Sequence, residues 1–213
     1  MSSVATLGTA LNGAPITEET HWNPEEKNNI YSITKYGAEM EVWRGTQEGL
    51  DAVIVKPGVI LGEGYFNSGS GVIIKMASKG IPFYTDGGMG VVDVQDVVKA
   101  MIQGMQASVK NTSYILVGDN VLYKKLLTVI ATKLNLKSPK KRVPKWILMV
   151  FSKFDWFISK LFGTKRTMLK DTVNSLYTVS NYSSSKIETE LNFQFTPISE
   201  TLDRVVNRYS MES

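Results

Sequence analysis

Cysteine is absent from the 213 residues, and His21 is the sole histidine. The first absence rules out disulfides and thiolate chemistry, and it suits a reducing cytosol. The second leaves a Ser-His-Asp hydrolase with one candidate base. No nucleophile elbow or metal-ligand spacing surrounds that base, so a surface loop position is expected for it. A phosphate-binding turn is also missing. The 17 glycines form neither Gly-x-Gly-x-x-Gly nor Gly-x-x-Gly-x-x-Gly, and both Gly69-Ser-Gly71 and Gly88-Met-Gly90 lack a third glycine. No charged n-region followed by an apolar run opens the chain, so no signal peptide is read. The apolar fraction of 43% and charged fraction of 21% are those of an ordinary globular chain. Its length suffices for one or two domains with a substantial core.

What is present centres on residues 28–39, Asn-Asn-Ile-Tyr-Ser-Ile-Thr-Lys-Tyr-Gly-Ala-Glu. If this stretch is helical, Tyr31 and Lys35 lie one turn apart on one face. An ammonium beside a phenol favours the phenolate. A phenol so tuned can exchange a proton with a substrate oxygen. The spacing alone is weak, since chance supplies about 0.8 such pairs in a chain of this composition. A second pair, Tyr182 and Lys186, stands among serines that favour caps and turns over a helix interior, and it reads as structural.

Context separates the two pairs. Ser2-Ser3 precedes Val4-Ala5 near the start. Tyr31-Ser-Ile-Thr-Lys35 is followed by Ala38-Glu39, then by Val55-Lys-Pro-Gly-Val-Ile-Leu-Gly62. Val92-Asp-Val-Gln-Asp-Val97, Tyr114-Ile-Leu-Val-Gly118 and Glu190-Leu-Asn-Phe193 come later. In this order the pieces resemble the extended short-chain dehydrogenase/reductases, the NAD-dependent epimerase/dehydratase family, and within it the dihydroflavonol-reductase-like members. The resemblance implies an α/β fold: the C-terminal remnant of a doubly wound Rossmann-type parallel sheet plus a smaller, mostly helical substrate-binding subdomain. On that reading the chain begins at the end of the family's fifth strand and lacks on the order of 110 residues, those that carry the glycine-rich cofactor turn. Residues 1–60 and 93–118 would belong to the dinucleotide-binding domain, and 61–92 and 119–213 to the substrate-binding subdomain.

The resemblance also implies roles. Tyr31 would exchange the proton. Lys35 would lower its pKa and hold the nicotinamide ribose. Ser3 would bind the substrate oxygen, with Ser2 the open alternative. Backbone at Pro57, Gly58, Val59 and Ile60 would meet the nicotinamide carboxamide, where a glycine at 58 is acceptable because the contact needs no side chain. Ser70 would add a hydroxyl to the cofactor. The cofactor would be NAD or NADP, and no metal is implied.

Along the chain, residues 9–29 read as loop, because Asn12-Gly13, Pro15 and Pro24 interrupt them. A helix is expected over 30–47 with Gly49 as its stop. The continuous apolar run 52–55 reads as a buried parallel strand. Left without its neighbours, that run would be an exposed apolar edge. The loop 62–71 should cap a helix beginning near Val72. Further helices are expected over 95–107, 122–134, 186–191 and 198–209, with a last strand at 114–117. Asp93 and Asp96 are expected to cap and anchor the first of these helices.

Charge is unevenly placed. Residues 1–119 carry a net −5 and residues 120–213 a net +9, and between Lys124 and Lys170 stand 13 basic groups and one acid, Asp155. A solvated basic face and an anionic partner are both consistent with this. Residues 145–162 form an aromatic-rich amphipathic segment, too interrupted by charge to span a membrane. The first expectation is a helix buried in the substrate-binding subdomain; an apolar wall for a bulky substrate and a membrane-surface helix are the alternatives.

The sequence therefore points to an NAD(P)-dependent oxidoreductase that reduces a carbonyl or oxidises an alcohol on a small apolar substrate, and to a fragment inactive alone. A nucleotide-sugar epimerase or dehydratase, or a non-catalytic or membrane-surface-associated fragment, are the rivals. The expected partner is a small-molecule substrate and not nucleic acid. A homodimer stays open, a membrane surface is not favoured, and the expected location is cytoplasmic.

Overall fold

A computed structural model describes residues 1–10, 13–26, 28–164 and 168–212. Helix α1, Ile30–Gln47, begins where Asn29 accepts the Ser32 amide at 2.8 Å. Such a side chain satisfies an amide that the first turn leaves without a partner. The chain turns off the helix at Gly49, whose φ of 98° is the left-handed region that favours glycine. Strands β1, Val53–Pro57, and β2, Val59–Leu61, follow. Then come α2, Gly71–Ala77, the short β3, Phe83–Tyr84, and β4, Gly88–Asp93. Helix α3, Val94–Gln106, precedes β5, Thr112–Leu116. Strand β6, Asp119–Leu122, leads into α4, Tyr123–Lys133. The remaining elements are β7, Lys141–Arg142; α5, Lys145–Phe162; α6, Lys170–Ser175; α7, Ser185–Glu190; and α8, Ile198–Glu212.

The strands fall into three small groups. β1 pairs in parallel with β5, and β2 pairs in parallel with β4, which pairs antiparallel with β6. β3 and β7 form a two-residue parallel pair. On the far side of β1 the Ser2 amide donates to the Val55 carbonyl at 2.8 Å, so the first residues extend the β1–β5 layer by one more segment. This is the α/β architecture with parallel pairing joined through helices.

β4 links two cores because successive side chains of a strand point to opposite faces. Val91 belongs to a cluster with Leu61, Ile74, Ile130 and Leu202. Val92 belongs to another with Val55, Val97, Tyr114 and Ile187. The step from β1 to β2 is a single residue, Gly58, and it is tight. A Cβ there would stand 2.5 Å from the Gly90 carbonyl oxygen and 3.1 Å from Val117 Cγ2. Glycine at 58 is thus required by β4, a stronger constraint than the tolerance expected from the sequence.

Several expectations are corrected. Ile54 and Val55 are buried but Ala52 and Val53 only partly so: β5 pairs along one side of β1, while on the other a single bond from the Ser2 amide to Val55 covers the strand, so the expected apolar edge is covered in part. Ser70 precedes α2 but makes no side-chain cap bond. Helix α5 is not buried: Ser152 is its one buried residue. β2, β3, β4, β6, β7 and α6 were not expected from the sequence: strands of two to four residues carry too little periodicity, and the glycines at 87 and 88 read as a turn at the start of β4. The loop expected over 9–29 is irregular where it is described, apart from 3-10 geometry at Gly13 and an isolated bridge between Ile16 and Tyr182; Leu11, Asn12 and Lys27 lie outside the described residues. Asp93 does cap α3, accepting the Gln95 amide at 2.8 Å. Asp96 accepts the amide and hydroxyl of Thr196, at 2.7 and 3.0 Å, and so anchors the segment that leads into α8.

Gly58→Ala is expected to lower unfolding stability by about 1–3 kcal/mol, since a methyl group would be forced against backbone. A shift of the denaturant midpoint with an unchanged slope would show it.

Candidate active site

The region at issue begins with a buried charge. Lys56 lies in the middle of an otherwise apolar strand and is 5% exposed, as is Glu39 on α1. A charge so placed needs a partner, since desolvation would otherwise expel or neutralise it. Lys56 Nζ meets Glu39 Oε1 at 2.7 Å. The Glu39 carboxylate also accepts from the Ser2 hydroxyl at 2.5 Å, the Thr6 hydroxyl at 2.8 Å and the Trp43 indole N–H at 3.2 Å. Burial pushes the Glu39 carboxyl up, but the bond from Lys56, the bond from Ser2, the Lys56 charge and the bond from Thr6 together hold it below its ordinary value. One carboxylate thus ties α1 to β1 and to the first six residues.

This tie orders the expected catalytic residues. Tyr31, Lys35 and Glu39 follow at four-residue intervals on α1 and share a face. With Glu39 held against Ser2, the Lys35 ammonium comes to the Met1 carbonyl oxygen at 3.2 Å. Tyr31 is one turn further along the same stripe and is exposed. A stacked pair also supports the helix, with the Trp22 and Tyr36 rings 4.6 Å apart and 11° from parallel.

The two serines differ in what they offer. The Ser2 hydroxyl gives its proton to Glu39. The Ser3 hydroxyl instead accepts the Ala5 amide at 3.2 Å, capping a 3-10 turn over Val4–Thr6. A hydroxyl that only accepts keeps its proton for another acceptor.

The expected cofactor-contacting residues gather at the carboxyl end of β1. The Gly58 amide donates to the Leu116 carbonyl at 3.0 Å, and the Ser70 hydroxyl donates to the Ile60 carbonyl. Pro57, Gly58, Val59, Ile60 and Ser70 therefore form one connected group. In open α/β sheets ligands bind outside the carboxyl ends of the strands. Ser3 follows Ser2, whose amide meets Val55 two residues before Pro57, so Ser3 is at the same end of the layer.

Other candidates stay apart. Tyr182 lies before α7 starts, and its backbone exchanges bonds with the Asn120 side chain. Lys186 Nζ donates to the Thr112 hydroxyl at 2.7 Å. His21 is exposed. A cleft of about 520 Å³ lies between residues 51–55 and α3, lined by Met1, Val53, Val55, Gly104 and Met105 among others. None of Ser3, Tyr31, Lys35 or Ser70 lines it, so this cavity is separate from the residues expected to act in catalysis. No group of three or more metal-ligating side chains occurs among the described residues. Lys56 and Thr6 escaped the sequence reading. A lysine inside a buried strand was the available signal, since such a residue is rarely buried unpaired.

Residues 1–118 match the family model described as the NAD dependent epimerase/dehydratase family. A curated protein of Synechocystis sp., a candidate dihydroflavonol 4-reductase, is 28% identical over 214 residues, an alignment covering 97% of this chain and 62% of the relative. The crystal structure of gox2253 superposes with a TM-score of 0.81 at 25% identity, over 100% of this chain and 65% of that one. A nucleoside-diphosphate-sugar epimerase from Pseudomonas aeruginosa superposes with a TM-score of 0.79 at 19% identity, over 100% and 66%. At that identity the likeness speaks for the fold alone. The chain spans just under two thirds of the length of each of these relatives.

Glu39→Gln is expected to cost about 3–5 kcal/mol, because it strands a buried ammonium. Pairing Glu39→Leu with Lys56→Met should recover most of that loss, as measured by denaturant unfolding. Since Glu39 is depressed in the folded chain, the unfolded chain protonates first as pH falls. The stabilisation is present above the ordinary carboxylate range and disappears as pH drops through the folded value. The acid limb of stability against pH should flatten in the double variant.

Proposed function

We propose that this chain, which belongs to the NAD dependent epimerase/dehydratase family, carries the proton-transfer and nicotinamide-end residues of an NAD(P)-dependent oxidoreductase acting on a carbonyl or alcohol. One observation supports this above the others: the Lys35 ammonium, one turn from Tyr31, reaches the Met1 carbonyl, two residues before Ser3. The cation of the stripe thereby meets the segment that carries the orienting hydroxyl.

In this reading the Ser3 hydroxyl donates to the substrate oxygen and fixes its direction. Tyr31 gives a proton to that oxygen in reduction and takes it back in oxidation. Lys35, one turn away on the same face, would hold the nicotinamide ribose. Ser2 takes no such part, because its proton is committed to Glu39. Bound NAD or NADP would supply the hydride. The groups present suit its nicotinamide end: Lys35 uses one of three N–H donors on Met1, and Pro57, Gly58, Val59, Ile60 and Ser70 offer backbone and a hydroxyl nearby. No glycine-rich turn for the pyrophosphate occurs in these 213 residues. Residues 61–92 and 119–213 would then form the substrate-binding subdomain.

The rival, a nucleotide-sugar epimerase or dehydratase, uses the same proton-transfer residues and finds support in the basic second half, which suits a diphosphate. The aromatic side chains of α5 are turned to solvent and do not speak against it. Screening simple ketones and alcohols against nucleoside-diphosphate sugars distinguishes the two.

In a catalytically active form of the protein, Tyr31→Phe is expected to reduce turnover at least about a hundredfold while cofactor affinity persists. Ser3→Ala should impair turnover far more than Ser2→Ala. Retained turnover in Tyr31→Phe would end the assignment. For the 213-residue chain alone, calorimetry with NADH and NADPH should give weak binding; micromolar affinity would contradict the division of labour set out above.

A further inference from the structure

Helix α5 is inside out. Its polar stripe, Ser152, Asp155 and Ser159, faces the protein. The Ser152 hydroxyl donates to the Met168 carbonyl at 2.8 Å, and the Ser159 hydroxyl to the Thr164 carbonyl at 2.5 Å. Asp155 accepts the Met168 amide at 3.1 Å. The opposite face points outward. Trp146, Val150, Phe154, Phe157 and Leu161 are each between 57% and 66% exposed. Exposed apolar side chains scattered singly are normal, but a contiguous face of this kind marks a binding surface.

The charges beside this face have one sign. At about 100° per residue, Lys153 and Lys160 fall on one flank of the outward stripe. Lys140, Lys141 and Lys145 are exposed where the helix begins. Lys160 Nζ sits 5.2 Å above the Trp156 ring, so its stem runs along the aromatic surface and its ammonium stands at the rim. The lone acid of the helix, Asp155, is on the inner side. Two copies meeting face to face would set lysines against lysines, which disfavours self-association. Aromatic rings with a rim of lysines suit a surface that is apolar below and anionic above. No described helix is long and apolar enough to cross a membrane.

We propose that α5 docks this protein on an anionic phospholipid surface, with Trp146, Phe154 and Phe157 in the acyl boundary and Lys153 and Lys160 at the headgroups. The proposal does not rest on the catalytic reading: none of the residues given a role in proton transfer or cofactor contact lies on α5.

The test is co-sedimentation of the 213-residue chain with vesicles of equal parts phosphatidylcholine and phosphatidylglycerol, against phosphatidylcholine alone. Tryptophan fluorescence is followed in parallel. Partitioning to the anionic vesicles with a blue shift is expected, weakening as salt rises. Lys153→Gln with Lys160→Gln should weaken it roughly thirtyfold. Phe154→Ser with Phe157→Ser should abolish it. All four positions are exposed, and unchanged circular dichroism would show that the variants fold. Failure to sediment with anionic vesicles at low salt overturns the proposal. So does equal binding to neutral vesicles, or binding indifferent to the phenylalanines. A lipid-free dimer dissociated by the same phenylalanine substitutions would assign the face to a second copy instead.

Discussion

The carboxylate of Glu39 is the constraint on which the arrangement rests. It meets the Lys56 ammonium on β1, the Ser2 and Thr6 hydroxyls of the opening residues, and the Trp43 indole on its own helix. A buried ion pair brings little net stability, because desolvating two charges consumes most of their attraction. What it does bring is registry. By meeting Lys56 and both hydroxyls at once, Glu39 fixes how α1 is turned, and Lys35 on the same face meets the Met1 carbonyl. The residues proposed for proton transfer lie on that face, with Tyr31 two turns from the carboxylate.

A second network does similar work at the other end of the chain. The Asp93 carboxylate, which caps α3, also accepts from the Thr201 hydroxyl at 2.6 Å and the Arg204 guanidinium at 2.7 Å. Arg204 in turn meets Glu63 at 2.7 Å, in the loop after β2. Asp96 holds Thr196. Helix α8 is fixed against β4 by these charges and by Leu202, Val205 and Val206, which are buried against β2, α2 and α4. The tight step at Gly58 lets β2 leave the β1–β5 layer and join β4, so residues 57–60 lie where the two groups of strands meet. Both networks place charge at the junctions between elements and leave the two cores apolar.

The outer half of the molecule follows another logic. In most surface helices the apolar stripe faces the core. In α5 the serines and Asp155 bind the returning chain at Thr164 and Met168, and the aromatic residues are left outside. The hydrophobic effect alone would turn this helix over. The inward hydrogen bonds oppose that rotation, and an apolar surface outside the protein would remove the cost.

Much of the fold was legible. The bounds of α1 follow from Asn29 and Gly49, and α3, α4, α7 and α8 follow from periodicity and caps. The order of Ser3, Tyr31, Lys35 and Pro57-Gly58 pointed to the family before any coordinates. The short strands β3, β6 and β7 were not legible, because a strand of two to four residues is defined by its partner rather than by its own pattern. The orientation of α5 was not legible either, since an amphipathic pattern gives the two faces but not which of them meets the protein.

The sequence by itself determined that an ammonium would stand one helical turn from a phenol, because that is a local fact of residue type and spacing. Only the tertiary structure decided that Ser3 and not Ser2 keeps a free proton, that Gly58 admits no side chain, and that the aromatic face of α5 points away. Each of those depends on a partner distant in sequence, Glu39, Gly90 and Met168 respectively, and spacing along one chain carries no record of what folds against it.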